Sequence, residues 1–185
     1  MRKRQKTGLT VLLINCQSVC YYSNEMQQVK AETEKHTLYP GGLAMKRIVV
    51  QEGTKVISNY CYAGDRDISS VCAADSLTDI GVGAFKDCTG LETVILNEGL
   101  SRLRKEVFSG CDNLSQINIP GTVHSIGEWA FRGCRNLHEL RIPENVNEIC
   151  AESFLDCPNL TIIAEAGSFA ADFANNNGIP LSLLV

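Results

Sequence analysis

The chain of 185 residues contains no run of 18 or more apolar residues, so no segment is long enough to span a bilayer as a helix. It also lacks an excess of positive charge, because 17 Lys and Arg residues stand against 21 Asp and Glu residues. Nucleic-acid-binding proteins usually carry a basic face, so this composition gives no reason to expect one. Aromatic residues make up 6% of the chain and Trp occurs once, which leaves no aromatic cluster to mark a binding hot spot.

The nine cysteines do not indicate a small disulfide scaffold. Their number is odd, so complete pairing within one chain is impossible, and four of them recur at a constant interval. Cys16 and Cys20 form a CxxxC pair with His36 further on, but this set lacks a fourth credible metal ligand. We expect these two cysteines to be incidental and predict no bound metal.

One pattern occurs four times between Gly81 and Leu160, as GVGAFKDCTGL, RKEVFSGCDNL, GEWAFRGCRNL and CAESFLDCPNL. Counting from Ile48 gives five units that end at Ile162, and a constant period of this kind predicts a solenoid with stacked equivalent positions. A lone unit offers too few apolar side chains to fold by itself, whereas stacking gives each unit two neighbours. The positions that recur every 23 residues are Phe85, Phe108, Phe131 and Phe154; Cys88, Cys111, Cys134 and Cys157; and Leu91, Leu114, Leu137 and Leu160.

Each unit alternates around an inward pair such as Ile117 and Ile119, which predicts a short strand. Pro120 then ends the strand, because proline cannot donate to the ladder. A second extended piece is predicted at Val123 to Ile126. The GxxAFxxC portion is predicted to form a tight turn or a single helical turn that carries Phe into the core.

The two ends of the chain depart from the repeat. Residues 21–38 are polar and predict a short solvated helix, and Pro40 to Gly42 mark a boundary. Beyond the array, Ser168 is predicted to cap a helix from Phe169 to Ala174, and IPLSLLV is predicted to add a closing strand. The predicted divisions are therefore an N-terminal segment of 1–44, a repeat array of 45–162 and a C-terminal cap of 163–185.

The segment LSQINIPGTVHSIGEWAFRGCRNL resembles the BspA-like (Treponema-type) leucine-rich-repeat family, whose unit reads roughly LxxIxIPxxVxxIGxxAFxxCxxL. The likeness covers Ile48 to Ile162, and the tail AEAGSFAADFANNNGIP is similar to the helical cap that often ends such arrays. The resemblance implies a curved leucine-rich-repeat solenoid of short parallel strands, turns and five 23-residue units. It also implies a bacterial surface or secreted module that binds proteins or host matrix.

The repeated cysteines are interpreted as core residues. Neighbours in a stacked array lie about 4.8 Å apart with parallel side chains, whereas a relaxed disulfide has a Cβ separation of about 3.8 Å. A straight column also cannot converge into the tetrahedron that zinc requires. We therefore predict buried thiols that act as small hydrophobic groups, with a thiol-based redox or metal role as the alternative. Cys72 falls in an outward strand column, and Cys150 occupies a position that other units fill with Gly81, Arg104 and Gly127, so both are expected to lie nearer the surface.

Nothing in the sequence indicates an enzyme. It contains no Gly-rich phosphate loop, no HExxH and no GxSxG. Nucleophilic catalysis requires a base held against a nucleophile, and His124 and His138 share columns with small polar residues that predict solvent exposure. We predict a non-catalytic protein that uses no cofactor.

The first residues of the chain do not decide whether the protein is exported. MRKRQK and the apolar stretch from Leu9 to Ile14 have the order of a secretion signal, but the stretch is short and no small-x-small cleavage site follows. Asn15 before Cys16 fits a lipoprotein box poorly. A leader of undefined structure is favoured from these residues, so cytoplasmic placement is the alternative to the surface or secreted location that the family resemblance implies.

The outward columns of the strands are where we expect a protein or matrix ligand to bind, because the inward columns form the core. Trp129 has two interpretations: it anchors a partner, or its ring lies over the neighbouring repeat. The alternative function is a structural or scaffolding segment without a partner of its own. A modest, solubilising basic patch is expected from Arg102, Arg104, Lys105 and Arg132. The candidate contact residues are Thr93, Gln116, Glu139, Ile95, Asn118, Arg141 and Trp129.

Overall fold

The computed structural model describes residues 31–38 and 44–184. After β1 (Ala31–Leu38), short parallel strands form two rows along the array, here called the front row and the back row. The front row consists of β2 (Ala44–Val50), β4 (Ile68–Cys72), β6 (Thr93–Ile95), β8 (Gln116–Ile117), β10 (Glu139–Arg141) and β12 (Thr161–Ala164). The back row consists of β3 (Val56–Ile57), β5 (Asp79–Ile80), β7 (Arg102–Leu103), β9 (Ser125–Ile126) and β11 (Glu148–Ile149). This arrangement confirms the predicted leucine-rich-repeat solenoid, including the second extended piece near Ile126.

Equivalent residues of neighbouring units pair directly in the front row. Val71 pairs with Val94, and Val94 pairs with Ile117, so each of these steps is 23 residues long. The last step is one residue shorter, because Leu140 pairs with Ile162. The period is therefore the length of chain that one turn of the solenoid uses.

Pairing lapses once in each row among the described residues. In the front row, β1, β2, β4, β6 and β8 form one sheet, and β10 begins another sheet with β12. In the back row, β3 pairs with β5, while β7, β9 and β11 form a separate sheet. The two lapses fall at different unit boundaries, so at each boundary between units at least one of the two rows is paired.

A continuous column of aromatic rings runs through the core. Tyr62 stacks on Phe85 with ring centroids 5.2 Å apart, and Phe85 stacks on Phe108 at 5.8 Å. The column continues through Phe131 and ends at Phe154. Stacking at these distances explains why the aromatic position recurs at every unit, because each ring covers the next one.

The repeated cysteines form a second column beside the rings. The side chains of Cys88, Cys111 and Cys134 are fully buried, whereas Cys157 of the last unit is only partly covered. Burial raises the pKa of the Cys88 thiol to about 12 and that of Cys157 to about 11. The prediction of buried thiols is thus confirmed for the first three positions and holds in part for Cys157, which is half-buried and packs against the core.

The segment around the repeated Phe consists of tight turns, which was the first of the two predicted alternatives, and not of a single helical turn. In one unit, the amides of Ala84 and Lys86 donate to the carbonyls of Gly81 and Gly83, at 3.2 and 3.0 Å. The Phe85 amide donates instead to the Val107 carbonyl of the next unit, at 3.0 Å. Alternate amides therefore close turns within a unit and tie that unit to its neighbour.

The helix predicted for residues 21–38 is wrong where the structure describes it. Residues 31–38 form β1, which pairs antiparallel with β2 through partners such as Thr33 with Ile48. The outer edge of β2 otherwise presents unpaired backbone groups, and pairing satisfies them. Tertiary pairing thus overrides the helical preference of a polar segment. Residues 1–30 and the Pro40 to Gly42 boundary lie outside the described residues, as do Cys16 and Cys20.

The C-terminal cap confirms the predicted helix and closing strand. Helix α1 (Phe169–Asn176) begins after Ser168, whose Oγ accepts a hydrogen bond from the Ala171 amide at 3.2 Å. Phe173 is buried and meets Phe154 edge-on at 6.0 Å, so the helix covers the end of the aromatic column. Phe169 lies outside this contact with 44% of its surface exposed. Strand β13 (Leu181–Leu183) then pairs in parallel with β12.

Candidate interaction surfaces

The front row carries six of the seven predicted contact residues on one surface, here called the strand face. Thr93 and Gln116 are paired neighbours in β6 and β8, and Ile95 lies beside Cys72 of β4. Glu139 and Arg141 lie on β10, beyond the lapse in strand pairing. The structure thus brings these predicted residues to one side of the array but divides them between two sheets. Their side chains are exposed at Ile95, Gln116, Asn118, Glu139 and Arg141, and half-buried at Thr93.

Ile95 is the most exposed large apolar side chain on the strand face, with 51% of its surface accessible. Its neighbour Cys72 is half-buried, as is the paired residue Val49 of β2. These three residues form a small apolar row across β2, β4 and β6. Sequence reasoning placed Ile95 in the correct column without distinguishing it from its polar neighbours.

Asn118 has a structural contact that the sequence did not reveal. Its Oδ1 accepts a hydrogen bond from the Leu96 amide at 2.8 Å, and its Nδ2 donates to the Leu96 carbonyl at 3.0 Å. The side chain therefore takes the place of a neighbouring strand for both main-chain groups of Leu96. Equivalent positions hold Cys72, Ile95 and Arg141, so the repeat pattern contained no signal for this bridge.

Trp129 lies away from the strand face, in the turn segment. Its indole Nε1 donates to a carboxylate oxygen of Glu152 in the next unit. Lys105 Nζ lies 4.5 Å from the ring centroid, and the Arg132 guanidinium carbon lies 5.6 Å from it. The half-buried ring is thus held between charged groups of adjacent units, and the idea that it also anchors a partner stays a prediction.

Tyr60 occupies the same column as Trp129 and was not singled out from the sequence. Its ring covers Gly83, where an added Cβ would lie 2.3 Å from Tyr60 Cε1. Its hydroxyl donates to Glu106 Oε2 at 3.5 Å, and Lys86 pairs with the same carboxylate at 3.0 Å. The available signal was the glycine that interrupts a column of larger residues at position 83.

The expected basic patch is largely neutralised. Arg104 makes two hydrogen bonds to the carboxylate of Asp79, at 2.8 and 3.0 Å. Lys105 pairs with Glu128 at 2.7 Å, and this hydrogen bond raises the pKa of the lysine. Paired acids therefore offset the positive charge of Arg104 and Lys105, two of the four predicted members of the patch. Arg132 likewise lies 3.5 Å from Asp156.

The histidines contact main-chain carbonyls. His124 Nδ1 lies 3.3 Å from the Asn145 oxygen, and His138 Nδ1 lies 2.7 Å from the Asn136 oxygen. Both imidazoles are exposed, as predicted. Across 31–38 and 44–184, no group of three His, Cys, Asp or Glu side chains is arranged to hold a metal ion. No helix in that same portion is long and apolar enough to cross a membrane.

Solved structures with the same architecture come from several bacteria. A leucine rich cell surface protein from Faecalibacterium prausnitzii A2-165 shares 26% identity and a TM-score of 0.63, over 84% of this chain and 42% of that one. The Treponema pallidum leucine rich repeat protein shares 21% identity and a TM-score of 0.61, over 88% of this chain and 83% of that one. The pneumococcal vaccine antigen PcpA shares 17% identity and a TM-score of 0.61, over 75% and 41%.

The present chain thus spans less than half of the F. prausnitzii protein, and the more distant likenesses show the fold alone. Curated protein sequences yielded no match. The pattern that defines the BspA type leucine rich repeat region matches residues 45–170 in six copies. Six copies agree with the six front-row strands, which enclose the five predicted units. The chain belongs to the BspA-type leucine-rich-repeat family.

Proposed function

We propose that the chain is a non-catalytic protein-interaction module that contacts a protein or matrix ligand through the strand face. The exposure of Ile95, at 51%, is the observation that carries this proposal. An apolar side chain surrounded by small and polar neighbours can be covered by a partner with little reorganisation. Protein interfaces commonly have such an apolar centre with a polar rim.

Charged residues on β10 supply the polar part of the proposed contact. Glu139 and Arg141 are exposed, and within residues 44–184 neither belongs to an ion pair. Lys46, Lys86 and Lys105, by contrast, are all paired with acids. The β10 charges therefore remain available for a partner, to which they would contribute orientation and specificity more than affinity.

A bacterial surface or secreted setting is part of the same proposal. It is supported by the likeness to the F. prausnitzii protein, which is described as a cell surface protein. An adhesion role would follow if the partner is a host matrix protein. Cell fractionation with an antibody to the array tests the setting, and recovery in the cytosol alone would contradict it.

The proposed contact is tested by surface-binding measurements on the full chain. The immobilised protein is exposed to a panel of purified extracellular-matrix and plasma proteins, and each partner found is titrated against variants. Ile95→Asp and Arg141→Glu should each weaken binding by about tenfold or more, because both replace a contact with an opposing group.

Arg102→Glu is the matched control for Arg141→Glu. Both arginines are exposed strand residues, but Arg102 lies on β7 of the back row. Its substitution should leave binding unchanged. Equal effects of the two arginine variants would contradict the strand face as the contact, and a wild-type chain that binds none of the panel would favour a purely structural segment.

A further inference from the structure

A groove of about 460 Å³, lined by polar residues, lies where the chain enters strands β6, β8 and β10. It is separate from the strand-face residues and from Trp129. No large apolar side chain contributes to its lining. The residues that line it are Glu92, Asn113, Ser115, Asn136 and His138.

The groove coincides with the lapse in front-row pairing. At the two preceding boundaries the residue before the strand donates to its counterpart one unit earlier, as the Glu92 amide does to the Ser69 carbonyl at 2.9 Å and the Ser115 amide to the Glu92 carbonyl at 3.0 Å. Within the described chain, no such bond joins the His138 amide to the Ser115 carbonyl. A main-chain donor and a main-chain acceptor at this boundary therefore lack the partners that other units provide.

The stacking of the aromatic column is also less regular at this boundary. The rings of Phe108 and Phe131, on either side of this boundary, are inclined at 26° to one another. The other stacked pairs are inclined at 8°, 12° and 10°. The two rings at this boundary are thus less parallel than the other stacked pairs, although the Phe108 amide still donates to the Ala130 carbonyl at 2.9 Å.

Hydrogen bonds within the groove fix its side chains and leave several polar atoms outward. Asn136 Nδ2 donates to Asn113 Oδ1 at 3.1 Å, and Ser115 Oγ donates to the Glu92 carbonyl at 3.3 Å. Three kinds of group remain for a ligand: the second amide atoms of the asparagines, the Glu92 carboxylate and Nε2 of His138. Donors and acceptors are therefore interleaved in a small area.

This chemistry selects among ligand classes. An apolar ligand finds no large apolar side chain to pack against, and an anion meets the Glu92 carboxylate without an arginine or lysine in the lining. A hydroxyl group both donates and accepts hydrogen bonds, so a row of hydroxyl groups matches interleaved donors and acceptors. The groove spans three units, which at the spacing of neighbouring strands is a length of about 10 Å.

We propose that this groove binds two or three sugar rings of a neutral glycan. Glu92 and Asn136 Oδ1 accept from sugar hydroxyl groups, while Asn113 Nδ2 donates to them. The site is independent of the strand face, so the array has a carbohydrate contact in addition to its proposed protein contact.

The test is an NMR titration of the full chain with neutral di- and trisaccharides built from hexoses and N-acetylhexosamines, together with sialylated and sulfated counterparts. We expect at least one neutral sugar to shift the amide resonances of Ser115 and His138 at millimolar concentration. Charged counterparts should bind more weakly because of Glu92.

Matched substitutions decide whether the groove is responsible. His138→Ala and Asn113→Ala should each weaken sugar binding by about fivefold, as expected for the loss of single hydrogen bonds. The controls His124→Ala and Asn145→Ala remove an exposed imidazole and an exposed amide outside the groove, where Asn145 Nδ2 donates to the Gly121 carbonyl at 2.7 Å. They should have no effect.

The proposal is overturned if no neutral sugar shifts these resonances, or if the control variants weaken binding as much as the groove variants. It is also overturned if the groove variants reduce only the binding of a protein partner. Failure here leaves the strand-face experiment unaffected, because that experiment uses substitutions on β6 and β10.

Discussion

The thiol of Cys111 donates a hydrogen bond to the main-chain oxygen of Phe85, at 3.1 Å across a unit boundary. Cys88, Cys134 and Cys157 donate to the equivalent oxygens of Tyr62, Phe108 and Phe131. Each cysteine therefore fills space beside the aromatic column and also donates a hydrogen bond to the carbonyl of an aromatic residue. The Phe85 oxygen also accepts from the Cys88 amide at 3.3 Å, so the thiol adds a second hydrogen bond to a buried acceptor that an apolar residue at this position could not supply.

Cys111→Ala should lower the free energy of unfolding by about 1–3 kcal/mol, through the lost hydrogen bond and the small cavity left by sulfur. Urea denaturation followed by circular dichroism measures the change. Cys72→Ala is the control, because Cys72 is half-buried on the strand face, and it should change stability by about 0.5 kcal/mol or less. Similar losses for both variants would argue against a special role for the thiol column.

Stability should fall as the pH rises above about 9, where the thiols of the unfolded chain lose their protons. The folded protein retains its thiol protons to higher pH, because burial raises the pKa of Cys88 to about 12 and that of Cys157 to about 11. The unfolded state then binds fewer protons than the folded state, so rising pH favours unfolding through this window.

Urea midpoints at pH 8 and pH 10.5 measure this dependence. Cys88→Ala should show a smaller drop between the two pH values than the wild-type protein, because one of the shifted thiols is gone. An identical drop in both proteins would show that other groups, such as lysines and tyrosines, account for the whole effect.

Gly83→Ala should destabilise the array because the new methyl group would collide with the ring of Tyr60. The backbone at Gly83 also has a φ of +58°, which costs other residues about 1–2 kcal/mol. Gly133→Ala is the control, since its φ is +74° but its nearest neighbour is 3.8 Å from the added carbon. Thermal unfolding should therefore show a larger loss at position 83 than at position 133.

Removing the ring distinguishes collision from backbone strain. In a Tyr60→Ala background, Gly83→Ala should cost no more than Gly133→Ala, because only the strained backbone remains. An undiminished cost in that background would show that Tyr60 does not account for the requirement for glycine.

Asn118→Ala should reduce the free energy of unfolding by about 1–3 kcal/mol, because the buried main-chain groups of Leu96 lose both partners. Gln116 lies two residues earlier on β8 and is exposed, so Gln116→Ala should be nearly neutral. Chemical denaturation compares the two. A neutral Asn118→Ala would show that water replaces the amide, and Asn118 would then be as suitable a binding probe as its neighbours.

The repeat was predictable because its determinants are local. Phe85 and its equivalents contact the same residue type in the next unit, so a period in the sequence becomes a contact in space. Ser168 and Phe173 were recognisable for a similar reason, since a helix cap and an apolar face lie within a few residues of each other.

The features that were not predicted depend on contacts that occur in one unit only and not in every repeat. β1 forms because β2 has an unpaired edge, which the polar sequence of residues 31–38 does not indicate. The bridge from Asn118 to Leu96 and the placement of Tyr60 over Gly83 each depend on one particular substitution within an otherwise regular column. The sequence was enough to assign the surface residues to columns, but it did not predict the contacts that their side chains make.

Site-specific photo-cross-linking tests the proposed strand-face contact most directly. Glu139 and Glu148 are both exposed glutamates, but Glu139 lies on β10 of the front row and Glu148 lies on β11 of the back row. Each is replaced in turn by p-benzoylphenylalanine, and the full chain is irradiated with the partner identified in the binding panel. We expect a covalent adduct from position 139 and none from position 148, whereas an adduct from position 148 alone would contradict the strand face as the interaction surface.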